Sequence, residues 1–540
     1  MLDELRVSGD LLRLALDRYL NACLAIKRCP TEYSRPAGQP QFQCLTSRVV
    51  LNEISLLGEF ETKLRKSKTA ILQTANLHPD VVPISKLPTD ILVRIFKQLT
   101  EEEYEHAFLD KQKDAINKYP MTLAHVCSNW RQIVFQSPLL WSYITLVPNI
   151  GVNKQRLAYL DFHSRYAKKA LMDILITKRF RRASASPISI DPFIGRIRSL
   201  RLRLPLYKAR SMINPRVKAS HLISECLRAG HNALKRFTLH MNATPEQHPF
   251  MESVSHPVDR NSLLDIILTG RAKHTTASQL EDVLSSITNL WLHGYYFNWE
   301  SKAYHGLTTL ELESTGSHAI PESRLANILA SSPQLQYLKI QLEIIQETIP
   351  PPPIHLSGLE VLVGDVLLLQ LIWPGSKELS VNIIWQPNHS SSTLYSTRMK
   401  DFFSRANTVR LLNSDWFFSA SDILYLLTMA PGVRVLALSS TKLFGTLPDM
   451  LTYPSLKALY LIYGCELDKP LLIDLANKWN IKKFVFWGEN RIFQGSSNVI
   501  DSKLSMEEEL SDLRSTLLEF IPCPTEDASA VEVLASQPWA

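Results

Sequence analysis

The apolar residues of this chain change period near residue 141, from the three- and four-residue steps of helices to the alternation of strands. In residues 1–29, Leu11, Leu12, Ala15, Leu16, Tyr19, Leu20 and Leu24 recur at helical steps and predict an amphipathic helix. Pro30 to Gln43 is rich in Pro, Gly and Gln and reads as a linker, closing a first segment over 1–44. Leu51, Ile54, Leu57, Leu64, Ile71 and Leu72, set among charges, predict a helical arm within 45–83, ended by His78-Pro79 and Pro83. Its Lys63, Arg65, Lys66 and Lys68 read as a solvated helix face, with acidic partners as the other reading.

The segment 84–147 is the most informative. Leu87-Pro88 opens a helix: proline presets the backbone angle of the first turn and needs no donor there, and Asp90 meets the positive end of the dipole. Ile91, Leu92, Ile95, Phe96 and Leu99 then form one apolar stripe. A polar loop is expected from Thr100 to Lys118, with Glu101-Glu102-Glu103 as a solvated charge run. A second helix carries Leu123, Val126, Cys127, Trp130, Ile133 and Val134, and Pro138 stops it before the apolar turn Leu139-Leu140-Trp141. Two short amphipathic helices cannot bury all their apolar faces against each other, so some of these side chains need another partner.

After Trp141, segments of the form Leu-x-x-Leu-x-Leu appear repeatedly. Ile197-x-x-Leu200-x-Leu202, Leu234-x-x-Phe237-x-Leu239 and Ile287-x-x-Leu290-x-Leu292 come first, then Leu307-x-x-Leu310-x-Leu312, Leu335-x-x-Leu338-x-Ile340 and a truncated Leu359-x-x-Leu362. After an irregular region the form returns at Val433-x-x-Leu436-x-Leu438, Leu456-x-x-Leu459-x-Leu461 and Ile481-x-x-Phe484-x-Phe486. From Leu290 onward the spacing is roughly 20 to 28 residues, with helix-like pieces at Ser323 to Ser331 and Ala420 to Ala430 between. The middle apolar residues point to one side, and Thr309, Glu311, Lys339 and Ala437 to the other. This texture over 148–490 resembles a degenerate leucine-rich repeat, in which stacked units share one continuous core; an irregular α/β domain with repeated strands is the alternative. Only Leu234 to Asn242 carries the usual polar asparagine. Lys178-Arg179-Phe180-Arg181-Arg182 reads as a solvated basic loop or a nuclear or phosphate-binding patch, and Pro350 to Pro353 as an extended connector. Residues 491–540, with a short acidic helix over Met506 to Leu518, are expected to be a largely mobile acidic tail.

Leu-Pro-x-acid-Ile-Leu-x-x-Ile-Phe, then Val-Cys-x-x-Trp-x-x-Ile, then Pro-x-x-Trp, resembles an F-box, and more narrowly the F-box-like proteins abundant in mushroom-forming fungi. Taken with the repeat texture of 148–490, that resemblance gives an expected α/β fold: an N-terminal helical arm and F-box helices followed by a degenerate leucine-rich-repeat-like solenoid with a parallel sheet. It implies a Skp-type adaptor as partner, and through it a cullin. The adaptor-facing set it carries over is Leu87, Pro88, Ile91, Leu92, Ile95, Phe96, Val126, Cys127 and Trp130, with Trp141 locking the box onto the part of the chain that comes next. The expected function is the substrate-recognition subunit of an SCF-type ubiquitin ligase with an unknown protein target. A scaffold that uses the box only for adaptor binding is the alternative.

Composition narrows this further. The 540 residues are 45% hydrophobic, as in ordinary globular proteins, and long enough for several domains. A net charge of +7 over 59 basic and 52 acidic residues is a weak argument for nucleic acid. Seven dispersed cysteines with no CxxC pair, and acidic Asp3 and Glu4 at the start, fit reduced thiols in cytoplasm or nucleus and exclude a RING-type zinc site. The longest apolar run, Val366 to Trp373, is too short to span a bilayer. No phosphate-cradling glycine loop, GxSxG elbow or HExxH occurs, and Cys127 beside His125 reads as a packed thiol rather than a nucleophile. No enzyme activity, cofactor or metal is expected.

Overall fold

Segments with helical spacing fold as helices and alternating segments as strands. The computed structural model describes residues 2–28, 40–77, 80–109, 118–146, 153–177, 193, 195–204, 233–241, 277–314, 318–384, 392–414, 427–439, 441–443, 456–462, 464–479, 481–487, 491–494, 498–500 and 517–521. The basic run 178–182, Asn242 and most of 420–430 lie outside them. The chain divides into two units, Met1–Pro88 and Thr89–Ala540.

In the N-terminal unit, α1 (Leu2–Arg28) places Asp3 and Glu4 in its first turn, where the helix dipole favours negative charge. α2 (Pro40–Leu77) starts inside the expected linker, since proline at a helix start forfeits no hydrogen bond. The Tyr19 hydroxyl donates to Glu53 Oε2 at 2.9 Å and ties the two helices together. Leu5 and Leu12 on α1 and Leu57 and Leu72 on α2 stay exposed. Beyond α2, Pro83–Lys86 make one 3-10 turn.

The second unit begins with α3 (Thr89–Leu109), α4 (Met121–Ala124), α5 (Ser128–Gln136) and a 3-10 turn over Pro138–Trp141. Next come β1 (Tyr143–Leu146), α6 (Asn153–Ala167), β2 (Met172–Thr177), β3 (Ile197–Leu204), β4 (Arg236–Met241), β5 (Asn289–His293) and β6 (Thr309–Glu313). These six strands continue, in chain order, into Tyr337–Gln341, Val361–Gly364, Leu379–Ile384, Thr408–Ser414, Val435–Ser439, Ala458–Ile462, Lys483–Trp487 and Leu517–Ile521, giving one sheet of fourteen strands among the described residues. Neighbouring strands in it run parallel, each beside its predecessor in the sheet. The fold is mixed α/β with a long parallel sheet.

The register makes a ladder: Ile144 stands beside Ile174, then Leu200, Phe237, Leu290, Leu310, Leu338 and Leu362. Every apolar position of the repeated motifs is at most 2% exposed. Side chains two apart share a face, so each strand contributes two rungs, and sealing one leucine is worth roughly 1.5–3 kcal/mol. Polar turns join adjacent units: Ser332 Oγ donates to Tyr304 O at 2.7 Å and accepts the Leu307 N–H at 3.0 Å. On the opposite face Lys339 and Ala437 are themselves buried, at 5% and 2% exposure.

Three expectations change. β1, β2 and the strands at 379–384 and 408–414 lack the full motif, yet Ile144, Ile174, Val381 and Leu411 continue the ladder, so the sheet starts inside 84–147 and crosses the irregular region. Residues 517–521 are not mobile tail: Leu517–Ile521 pairs with Lys483–Trp487, because Leu517-Leu518-x-Phe520-Ile521 offers strand-forming side chains and a free sheet edge stands ready. The acidic helix expected over Met506 to Leu518 therefore does not include Leu517 and Leu518, and the rest of it lies outside the described residues. The apolar run from Val366 breaks into a helix, Val366–Gln370, capped by the Asp365 carboxylate, and a short strand, Ile372–Pro374.

Candidate functional site

α3 and α5 meet through Phe96 and Trp130, whose rings lie 4.6 Å apart at a 57° tilt. Along α3, Leu92, Phe96, Thr100, Tyr104 and Phe108 recur every four residues and are all buried. Ile91 and Ile95, on the flank of that stripe, are only half-buried. The apolar face of α3 is thus split into an inner row that the chain covers itself and an outer row that it leaves open. Leu92 and Phe96, expected to face an adaptor, belong to the inner row, at 2% and 0% exposure. Their four-residue spacing with Thr100, Tyr104 and Phe108 places them on the packed side.

The expected second helix is broken in two. α4 ends at Ala124, and Cys127 caps α5 by accepting the Trp130 N–H on its Sγ at 3.4 Å. Arg131 Nε donates to Ala124 O at 3.0 Å and holds the two pieces together. Val126 therefore sits on the break, 56% exposed, instead of on a helical stripe. Cys127 is half-buried, and its Sγ serves as the cap of α5.

Trp141 is fully buried and does lock this region to the next helix. Its Nε1–H donates to Val134 O at 2.9 Å, and it stacks on Phe135 at 5.7 Å. Phe162 and Tyr166 of α6 pack against it at 5.1 and 5.2 Å. His163 Nδ1 lies 3.0 Å from Trp141 O; burial pushes the imidazole pKa down to about 4 despite that bond, so the ring is neutral and donates through Nδ1.

The loop expected from Thr100 is helical as far as Leu109, because Glu101 to Leu109 are good helix formers and Tyr104, Ala107 and Phe108 extend the inner row. Glu103, read as solvated, accepts the backbone N–H of Lys118 at 3.0 Å and of Tyr119 at 2.9 Å, closing the end of the insertion back onto α3. Tyr104 packs on Tyr143 of β1 at 5.3 Å, and Phe108 meets Trp291 of β5 edge-on at 5.3 Å. Arg201 of β3 pairs with Glu105 and lies over the Tyr104 and Phe108 rings, while Arg203 Nη1 donates to Phe108 O at 2.6 Å. The last two turns of α3 thus roof β1 to β5 on the face opposite the leucine ladder. Aromatic residues at four-residue steps inside a charged stretch were the sequence signal for this.

Of the second-unit residues expected to face an adaptor, Ile91 and Ile95 are open in part, Val126 is exposed, and Cys127 and Trp130 are partly covered. Met121 and Leu139, 39% and 52% exposed, join the set although their spacing did not single them out. Leu87 and Pro88 are exposed in the N-terminal unit. Residues 84–147 match the family described as F-box-like. The chain carries an F-box-like domain. No curated protein matches the chain. F-box domains generally bind Skp-type adaptors.

Farther along the sheet, Glu313 gathers a cation and an imidazole around it. Lys339 pairs with Glu313 and lies 3.9 Å from Glu311, and His293 Nδ1 lies 3.1 Å from Glu313 Oε2. Burial opposes the Glu313 charge, but the His293 hydrogen bond and Lys339 outweigh it and hold its carboxyl down at about 2. This network stabilises the sheet face, and His293 Nε2 is its one described atom buried without a hydrogen-bond partner. Among the described residues no cluster of His, Cys, Asp and Glu is placed to hold a metal ion, and no helix is long and apolar enough to cross a membrane.

Proposed function

We propose that this protein is the substrate-recognition subunit of an SCF-type cullin ubiquitin ligase, of the kind abundant in mushroom-forming fungi. The F-box-like domain docks a Skp-type adaptor, and the sheet unit, taken as a degenerate leucine-rich-repeat-like solenoid, presents a surface to a protein target. The chain itself catalyses nothing; it raises the effective concentration of the target's lysines near the conjugating enzyme, in cytoplasm or nucleus. The observation that carries this reading is the match of 84–147 to the F-box-like family together with the open apolar set Ile91, Ile95, Val126 and Trp130.

The test is capture of a Skp-type adaptor by Ile95→Asp combined with Val126→Asp. Both side chains are at least partly open, so the fold is expected to survive. Losing two such anchors weakens the interface by roughly a thousandfold. Undiminished capture by the folded double variant refutes the docking surface. Cullin association and ubiquitylation of a bound partner then separate a ligase subunit from a scaffold that binds only the adaptor.

A further inference from the structure

The two helices of the N-terminal unit carry more apolar surface than they cover. Val50, Leu57, Leu64 and Ile71 recur at seven-residue steps along α2 and are 43%, 40%, 38% and 51% exposed. A seven-residue apolar repeat fills one of the two positions per heptad that form a helix–helix seam, and the other falls on Glu53, Phe60, Ser67 and Thr74. The seam spans about 30 Å of helix, the length of a substantial two-helix contact. α1 reaches α2 through Tyr19 and Glu53 but leaves those four side chains open, and its own Leu5, Leu12 and Leu16 are open as well.

Two features of α2 bear on what covers the seam. The first is even spacing, which a second copy matches and which by itself does not exclude another helix of the same repeat. About a point between Phe60 and Glu61, Val50 mirrors Ile71 and Leu57 mirrors Leu64. A second α2 running antiparallel therefore sets Val50 against Ile71 and Leu57 against Leu64, and does so twice. Gly58, close to that point, has nothing within 4 Å of where a Cβ would stand, so two helix backbones can approach there. The second feature is charge. From Val50 to Thr62 the charged residues are Glu53, Glu59 and Glu61; from Lys63 to Leu77 they are Lys63, Arg65, Lys66 and Lys68. Antiparallel pairing lays each acidic half along a basic half, whereas parallel pairing opposes like charges along the whole seam.

We propose that α2 is a dimerisation helix. Two copies of the chain pair antiparallel through Val50, Leu57, Leu64 and Ile71, with the acidic half of each against the basic half of the other. This is an isologous contact, in which one surface serves both partners, and the pairs of α1 and α2 from two chains supply the four helices of a bundle. A foreign acidic-basic helix would have to reproduce the same order in reverse; a second copy does so by identity.

The experiment is sedimentation equilibrium on the full-length chain at tens of micromolar and low salt, where the expected mass is twice 61.4 kDa. Leu57→Asp with Leu64→Asp is expected to give a monomer of unchanged helix content, with dimer affinity lower by at least about a hundredfold. Glu59→Lys with Glu61→Lys is expected to weaken the dimer by about tenfold or more, and adding Lys63→Glu, Arg65→Glu and Lys66→Glu to restore it. A chain that is monomeric under these conditions overturns the proposal, as does a dimer that survives the aspartate pair. Failure of the full charge exchange to restore what the glutamate changes remove overturns the antiparallel order. Adaptor capture is a separate readout, so failure of the proposed function leaves this inference standing.

Discussion

Leucine lives in two environments in this protein. In α1 and α2, Leu11, Leu20, Leu51 and Leu72 are between 51% and 67% exposed. In the long sheet, Leu200, Leu290, Leu310 and Leu338 are at most 1% exposed. Both sets were recognisable as apolar faces from their spacing alone. The difference is where the partner comes from. A strand of the sheet finds its neighbours in the adjoining segments of its own chain, in matched register, so each rung is closed on both sides. The two long helices have one another and little else within their unit. Apolar periodicity therefore identifies a face, but says nothing of whether the same chain supplies its cover.

Substitutions can sharpen this contrast, beginning with the most severe. Trp141→Ala removes a ring packed against Phe135, Phe162 and Tyr166, and a cost of about 3–5 kcal/mol is expected in urea unfolding of the sheet unit. A loss below about 1 kcal/mol would mean that the aromatic lock is not what joins the F-box-like domain to α6. Leu310→Ala opens a cavity between the Leu290 and Leu338 rungs and should cost about 2–5 kcal/mol, with the midpoint shifting and the slope unchanged.

Acidification tests the same sealed region by another route. The His163 pKa in the fold, about 4, lies below the ordinary 6.5, so folding favours the neutral ring. The stabilisation is complete above about pH 6.5 and is withdrawn as pH falls towards 4, a loss of about 3 kcal/mol. His163→Gln should flatten the stability profile in that window; an unaltered profile would show that this imidazole is not the responsible group. The smallest effect is expected for Leu57→Ala, within about 0.5 kcal/mol at concentrations where the chain is monomeric, because the side chain is already open. A cost comparable to that of Leu310→Ala would erase the contrast between the two regions.

The motif pattern of the F-box-like domain was legible because several rules coincide there: proline before a helix, a stripe at helical steps, and tryptophan at fixed places. Which members of the stripe face outward was not legible. Leu92 and Ile95 are equally apolar, and only the packing of α3 against α5 and the sheet makes one core and leaves the other half-open. The insertion misled for a related reason. Its three glutamates look solvated, yet Glu103 closes the insertion and Tyr104 and Phe108 lie on the sheet. Strands at 379–384 and 408–414 were missed because a parallel strand pinned between neighbours needs only an alternating apolar core, without the full repeat.

From the amino-acid order alone come the helical arm, the box motif, and the set of leucines that form the ladder, since helical and strand periods are properties of neighbouring residues along one backbone. The tertiary structure alone decides that the fourteenth strand is Leu517–Ile521, that Leu92 and Phe96 are covered, and that the end of α3 roofs β1 to β5. Those outcomes depend on which distant segments meet, and a meeting such as Phe108 with Trp291 leaves no trace in the local pattern of either.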